Sequence, residues 1–217
     1  MQIQCLISKN SWIKKYQKKL IQKELKSFSK KIYFCENHTK LRKNFDVNIV
    51  LSYFKKIPKK NLDFSRHNIV VHGSDLPKGK GMSPISWQIL KGRNKIVFTI
   101  FEANTSYDDG FYYFKKIISF QKTDLHSEIK HKQIKATIKL LKKFFANIKK
   151  LKKKKQLGKS TFYSLRKKSH SQLNIRKSLL SQMNLLRIVD NEKYPAFFYF
   201  KKKKYIIKIF KDEKYKN

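Results

Sequence analysis

The chain has 217 residues, of which 40% are hydrophobic and 14% aromatic, enough for one substantial core and too apolar for a disordered basic tail. Its 53 Lys and Arg against 14 Asp and Glu give a formal net charge of +39, which points toward a polyanionic partner; the lysine, Ile, Asn, Phe and Tyr excess with 6 Gly and 4 Pro is equally what A+T-rich codons produce. Cys5 and Cys35 have no Cys or His at ligand spacing, which argues against a zinc site or disulfide framework, and no apolar run reaches the ~18 residues of a membrane span.

Met1 to Ile7 lacks the charged start and long apolar run of a secretory signal, so a cytoplasmic location is expected. Residues 2 to 7 alternate and then run apolar, predicting a first strand. Asn10 and Ser11 suit the cap of a helix from about Trp12 to Phe28, along which Trp12, Tyr16, Leu20 and Leu25 recur near helical spacing. Ile32 to Cys35 and Val47 to Leu51 predict two more strands, and the strand, helix, strand order argues for a parallel sheet. Pro58 interrupts the next stretch, and Asn68 to Val71 predicts a strand that ends on His72.

Ser83 and Pro84 open a predicted helix through Leu90, with Ser as cap and Pro in the first turn, and Gly92 closes it. Lys95 to Phe101 and Tyr112 to Phe120 predict strands, followed by a long amphipathic helix over Asp124 to Lys149. Its stripe of Ile134, Ile138, Leu141 and Phe145 reads as core-facing. Residues 149 to 160 form a basic low-complexity linker, read first as a solvated connector and second as an anion patch. A helix over Ile175 to Leu186 and a hairpin of Phe197 to Phe200 with Tyr205 to Phe210 complete the chain. The predicted architecture is α/β, with a mostly parallel Rossmann-like sheet over residues 1 to 148, a linker over 149 to 160 and a small helix-and-hairpin module over 161 to 217.

The chemistry concentrates in His72-Gly73-Ser74-Asp75-Leu76-Pro77-Lys78-Gly79-Lys80-Gly81 and in Asp108-Asp109-Gly110. A strand-end histidine is often structural, but glycines at 73, 79 and 81 allow a backbone close enough to a ligand to make His72 a candidate general base. Asp-Asp-Gly is also an ordinary turn; between two strands that neighbour the His72 strand, Asp108 is positioned to reach the imidazole and fix its tautomer.

These blocks, with Met82-Ser83-Pro84, Trp87-Gln88-Ile89-Leu90, Gly92 and Thr99-Ile100-Phe101-Glu102, resemble the formyltransferase family that uses 10-formyltetrahydrofolate. Asn10-Ser11-Trp12 and the run from Asn184 to Phe198 extend the resemblance over most of the chain, toward a compact branch of nucleotide-sugar N-formyltransferases. The resemblance implies a Rossmann-like fold, His72 and Asp108 as catalytic pair, and Gly73, Ser74, Leu76 and Pro77 beside the folate. It implies Arg187, Asn191 and Tyr194 on the acceptor side. Val70 stands where the family carries an asparagine; Asn68 is on the same strand face but too far along it, and Asn104 offers another route into the site.

The expected function is formyl transfer to the amine of a nucleotide-activated amino sugar in surface-glycan biosynthesis, by a homodimer with no membrane span. The short C-terminal part favours a small acceptor. The charge favours the rival, formylation of methionyl-tRNA, or a basic RNA-binding protein that keeps the fold without the catalysis.

Overall fold

A computed structural model describes residues 1–212, the side chain of Lys18 excepted. In chain order the elements are β1 (Ile3–Ile7), β2 (Ile32–Cys35), β3 (Phe45–Leu51), α1 (Lys59–Leu62), β4 (Ser65–His72), β5 (Lys80–Gly81), α2 (Pro84–Leu90), β6 (Lys95–Glu102), β7 (Tyr112–Ser119), α3 (His126–Asn147), β8 (Phe162–Tyr163), α4 (Met183–Ile188), β9 (Ala196–Phe200) and β10 (Lys203–Ile207). Six strands form the central sheet in the order β2-β1-β3-β4-β6-β7. The first four run parallel, while β6 and β7 are added antiparallel.

Strand alternation sorts the side chains onto two faces. Ile3, Cys5, Ile7, Ile49 and Ile69 lie on the face covered by α3, where Ile134, Ile138, Leu141 and Phe144 meet them. Leu6, Val50 and Val70 turn to the other face, against Ile57 and Leu62. A fully buried aliphatic or aromatic side chain of this kind contributes ~1.5–3 kcal/mol, so the α3 stripe is the main clamp on the sheet. β4 ends on His72, opposite Thr99 of β6, at the edge where α3 begins.

Two predicted helices differ from what forms. Residues 12 to 28 wind as a 3-10 turn, Lys14–Tyr16, and a π-helical turn, Gln17–Gln22, instead of one α-helix. The five-residue step from Leu20 to Leu25 is wider than an α-helical turn, and both side chains pack on the α3-side core. Over the predicted helix from Ile175 to Leu186, the helical residues begin at Leu180–Gln182, a 3-10 turn, and continue in α4; Leu179 and Leu180 are exposed, so nothing packs an earlier start. Ser83 precedes α2 with a left-handed backbone, φ 53°, and makes no side-chain cap bond. The β9–β10 hairpin forms as expected and pairs Phe198 with Tyr205.

Candidate active site

The turn after β4 is held by side chains from three elements. The Gln88 amide donates to the Gly73 carbonyl at 2.7 Å, the Thr99 hydroxyl to the Ser74 carbonyl at 2.7 Å, and Lys115 Nζ to Asp75 Oδ1 at 2.6 Å. Gly73 is required by packing, because a Cβ there would stand 2.5 Å from Ile85 Cγ1. The turn folds back so that the Gly79 carbonyl lies 2.9 Å from His72 Nε2. That contact places the ring proton on Nε2 and leaves Nδ1 as the free nitrogen of the neutral ring.

Nδ1 faces Asp108 Oδ2 at 3.8 Å. The same carboxylate oxygen accepts the Gly81 amide at 2.8 Å, which fixes the carboxylate beside the imidazole. Asp108 itself has φ 51°, an αL conformation that aspartate tolerates in a turn. Its neighbour Asp109 points away and pairs with the buried Lys80.

Residues 149 to 164 lie across these loops. The Lys154 and Tyr112 backbones form a bridge, and Gln156 Nε2 donates to the carbonyls of Asp108 and Gly110 at 3.0 and 2.8 Å. Thr161 accepts the Gly79 amide through Oγ1, β8 pairs with β5, and the Trp87 indole donates to the Ser164 carbonyl at 2.7 Å. The run read as a solvated connector therefore straps the site, while Lys152, Lys155 and Lys159 keep their side chains in solvent and Lys153 Nζ reaches Glu102 Oε2 at 4.0 Å.

His72 and Asp108 open onto a cleft of about 210 Å³. One wall is largely apolar and aromatic, with Val50, Leu51, Val70, Tyr53, Phe54 and Tyr107. Trp12, Met82, Lys130, Gln133 and Thr137 also line the cleft. Burial brings the Lys130 ammonium down to about 8; Asp190 opposes that shift and Arg166 adds to it.

The residues proposed from sequence fall into three places. His72, Asp108 and Gly73 line the cleft. Ser74, Leu76 and Pro77 are buried inside the turn and are not among the cleft lining, and the Leu76–Pro77 peptide is cis. Arg187, Asn191 and Tyr194 lie away from the cleft lining. The Arg187 guanidinium is 1% exposed and donates to the carbonyls of Asp124 and Gln121, Asn191 exchanges two hydrogen bonds with the Ile209 backbone, and Tyr194 is on the outer surface. Asn68 is buried, with its amide on the Leu62 carbonyl and its oxygen on Asn48, while the Asn104 side chain accepts from the Ser106 amide. Neither fills the place opposite Val70. Sequence reading passed over Lys130, Gln133 and Thr137; their spacing of three and four residues put a polar stripe beside the apolar one, which was the available signal.

The chain belongs to the formyl transferase family, whose match covers residues 8–144. The methionyl-tRNA formyltransferase of Buchnera aphidicola subsp. Acyrthosiphon pisum (strain Tuc7) is 44% identical over 71 residues, 32% of this chain and 23% of that protein. The aligned chain thus spans about a quarter of that relative's length. In structure, the methionyl-tRNA formyltransferase from Clostridium thermocellum superposes with a TM-score of 0.77 at 21% identity, covering 100% of this chain and 96% of that one. A 4-N formyltransferase from Francisella tularensis gives 0.74 at 15% identity, covering 96% and 97%. Both structural matches are likenesses of fold.

Proposed function

We propose that the protein transfers a formyl group from 10-formyltetrahydrofolate to the primary amine of a phosphate-bearing acceptor, with methionyl-tRNA as the acceptor. The observation that carries the transfer is the free Nδ1 of His72 facing the Asp108 carboxylate at the floor of a cleft. The aromatic side chains of Tyr53, Phe54 and Tyr107 in the cleft lining suit a pterin ring. The folate, when bound, supplies the electrophilic formyl carbon.

The residues act on protons. As the acceptor nitrogen bonds to the formyl carbon, it loses a proton to His72 Nδ1, where the carboxylate of Asp108 balances the new charge. His72 would then return the proton to the folate nitrogen as that nitrogen gives up the formyl carbon, so the step conserves charge. Gly79 holds the ring through Nε2 in both protonation states.

The strap supports an RNA acceptor. Lys152, Lys155 and Lys159 are exposed on the strap, whose Gln156 holds the loop that carries Asp108, and they can neutralise phosphates there. A nucleotide-linked amino sugar is the second reading, favoured by a cleft whose described lining holds a single lysine and no arginine. A fold-retaining RNA binder without catalysis is the third outcome to be tested.

The deciding experiment offers 10-formyltetrahydrofolate with methionyl-tRNA and with a panel of amino sugar nucleotides, and follows the mass gain for the native chain and His72→Ala. Formylated methionyl-tRNA whose yield drops steeply with salt, and which His72→Ala abolishes, supports the first reading. Product on a sugar alone supports the second. Salt-sensitive tRNA binding with no product on any acceptor leaves only the binding protein.

A further inference from the structure

Lys130, Gln133 and Thr137 occupy consecutive turns on one face of α3 and all three line the cleft. The adjacent stripe of Ile134, Ile138 and Leu141 is in the core, so this polar stripe is the seam where the helix leaves the core and meets the site. Lys130 Nζ lies 4.6 Å from the centroid of the Trp12 ring, and its one hydrogen bond is a long 3.4 Å contact to Gln133 Oε1. Among the described residues no carboxylate comes within ion-pair distance of it. Among them, too, the Gln133 amide nitrogen and the Thr137 hydroxyl have no hydrogen-bond partner.

A partly buried ammonium with most of its donors unfilled is costly unless something else satisfies it. The chain carries 53 Lys and Arg, yet Lys130 is the one such residue on the described cleft wall. The wall therefore offers a cation, an amide and a hydroxyl over two helical turns, with the indole of Trp12 as a flat apolar side. An anion with several acceptor oxygens matches that donor set.

We infer that the Lys130–Gln133–Thr137 stripe binds a phosphate of the acceptor and sets the acceptor's amine against His72. Its kinetic test rests on the formyl-transfer reading, whereas its binding test does not. Both acceptors under consideration bring a phosphate, one as the diphosphate of a sugar nucleotide and the other as an internucleotide phosphate near an RNA 3′ end. Lys130 is a positioning residue here, since it takes no proton and no formyl group.

Trp12 makes the site observable. In the Trp87→Phe protein Trp12 is the single tryptophan, and it is titrated with thymidine diphosphate and with a CCA trinucleotide while its fluorescence is followed. One probe should perturb Trp12, and Lys130→Met should weaken that probe roughly tenfold, the weight of one charge-assisted hydrogen bond, with Lys130→Arg restoring much of it. The probe that responds identifies the phosphate source. In turnover, Lys130→Met should raise KM for the matching acceptor and leave KM for 10-formyltetrahydrofolate unchanged. Equal binding of both probes by parent and Lys130→Met, with the variant melting as the parent does, overturns the inference, as does a loss confined to folate affinity. Lys130-dependent probe binding with no transfer to any acceptor keeps the phosphate site and removes the formyl-transfer reading.

Discussion

Asp108 and His72 are locked in register by a third group, the Gly81 amide: the oxygen that accepts this amide at 2.8 Å is the one that faces His72 Nδ1 at 3.8 Å. The carboxylate thus serves the loop and the imidazole through the same atom. Asp108→Asn keeps an oxygen for the Gly81 amide but loses the charge. The expected result is a fall in kcat of ~10²–10⁴, the usual weight of acid-base assistance, with a melting curve close to the parent's. Asp108→Ala should lower both. A full rate in Asp108→Asn would remove Asp108 from the chemistry.

Much of this site was legible from the chain, and the limits of that reading are physical. Local signals placed β2 and α2 at their observed bounds, because a short apolar run between polar residues and a Ser-Pro opening are self-contained. His72 and Asp108 were readable because glycines flank them, and glycine reports on backbone needs that few other residues share. The strap was not readable as a strap: most of its lysines do stay in water, and what docks is backbone, Gln156 and the Lys153 ammonium on Glu102, which leave no periodic signature. Arg187 was expected on the acceptor side, since nothing local announces that the carbonyls of Gln121 and Asp124 wait for it across the fold. Lys130 was hidden within a helix face full of solvated lysines, and only the packing of α3 against Trp12 sets it apart.

Val70 faces the cleft at the position where the family carries an amide, and it also packs against Val50 and Ile57. Val70→Asn should therefore separate rate from stability. Restoring an oxyanion donor is worth up to ~10²–10³ in kcat, and a gain of at least about tenfold is expected. Removing the partly buried methyl groups should cost roughly 1 kcal/mol in urea unfolding. A lower kcat in a variant that still folds would show that the present site positions the formyl oxygen elsewhere.

Gly110 closes the loop that presents Asp108. A Cβ on Gly110 would stand 1.5 Å from the Glu102 carbonyl oxygen, a backbone atom with no side-chain freedom to yield. Gly110→Ala must shift the loop and the two carbonyls that Gln156 holds. The expected cost is ~3 kcal/mol or more, with loss of activity beyond what the melting shift explains. Hydrogen exchange should show the amides of the strap losing protection first. An Ala variant with parental stability would mean that the loop has more room than its geometry shows.

Glu102 anchors the last strand residue before that loop, and its chemistry predicts how stability follows pH. Burial pushes its carboxyl up, but hydrogen bonds from His67, Tyr113 and the Asn68 amide outweigh burial and leave it below the ordinary carboxylate value. Burial, together with its bond to Glu102, drives the Tyr113 phenol up, so it remains a protonated donor. Because the folded carboxyl ionises more readily than the unfolded one, its stabilising contribution is complete above the unfolded value of ~4.3 and is lost as pH falls through the folded value. Glu102→Gln should thus cost roughly 1–3 kcal/mol in urea unfolding at pH 7, the penalty for weakening bonds to a buried charge, and that difference should shrink as the pH is taken below about 4. A difference that stays constant or widens on acidification would place the anchor's strength in packing instead of in the carboxylate charge.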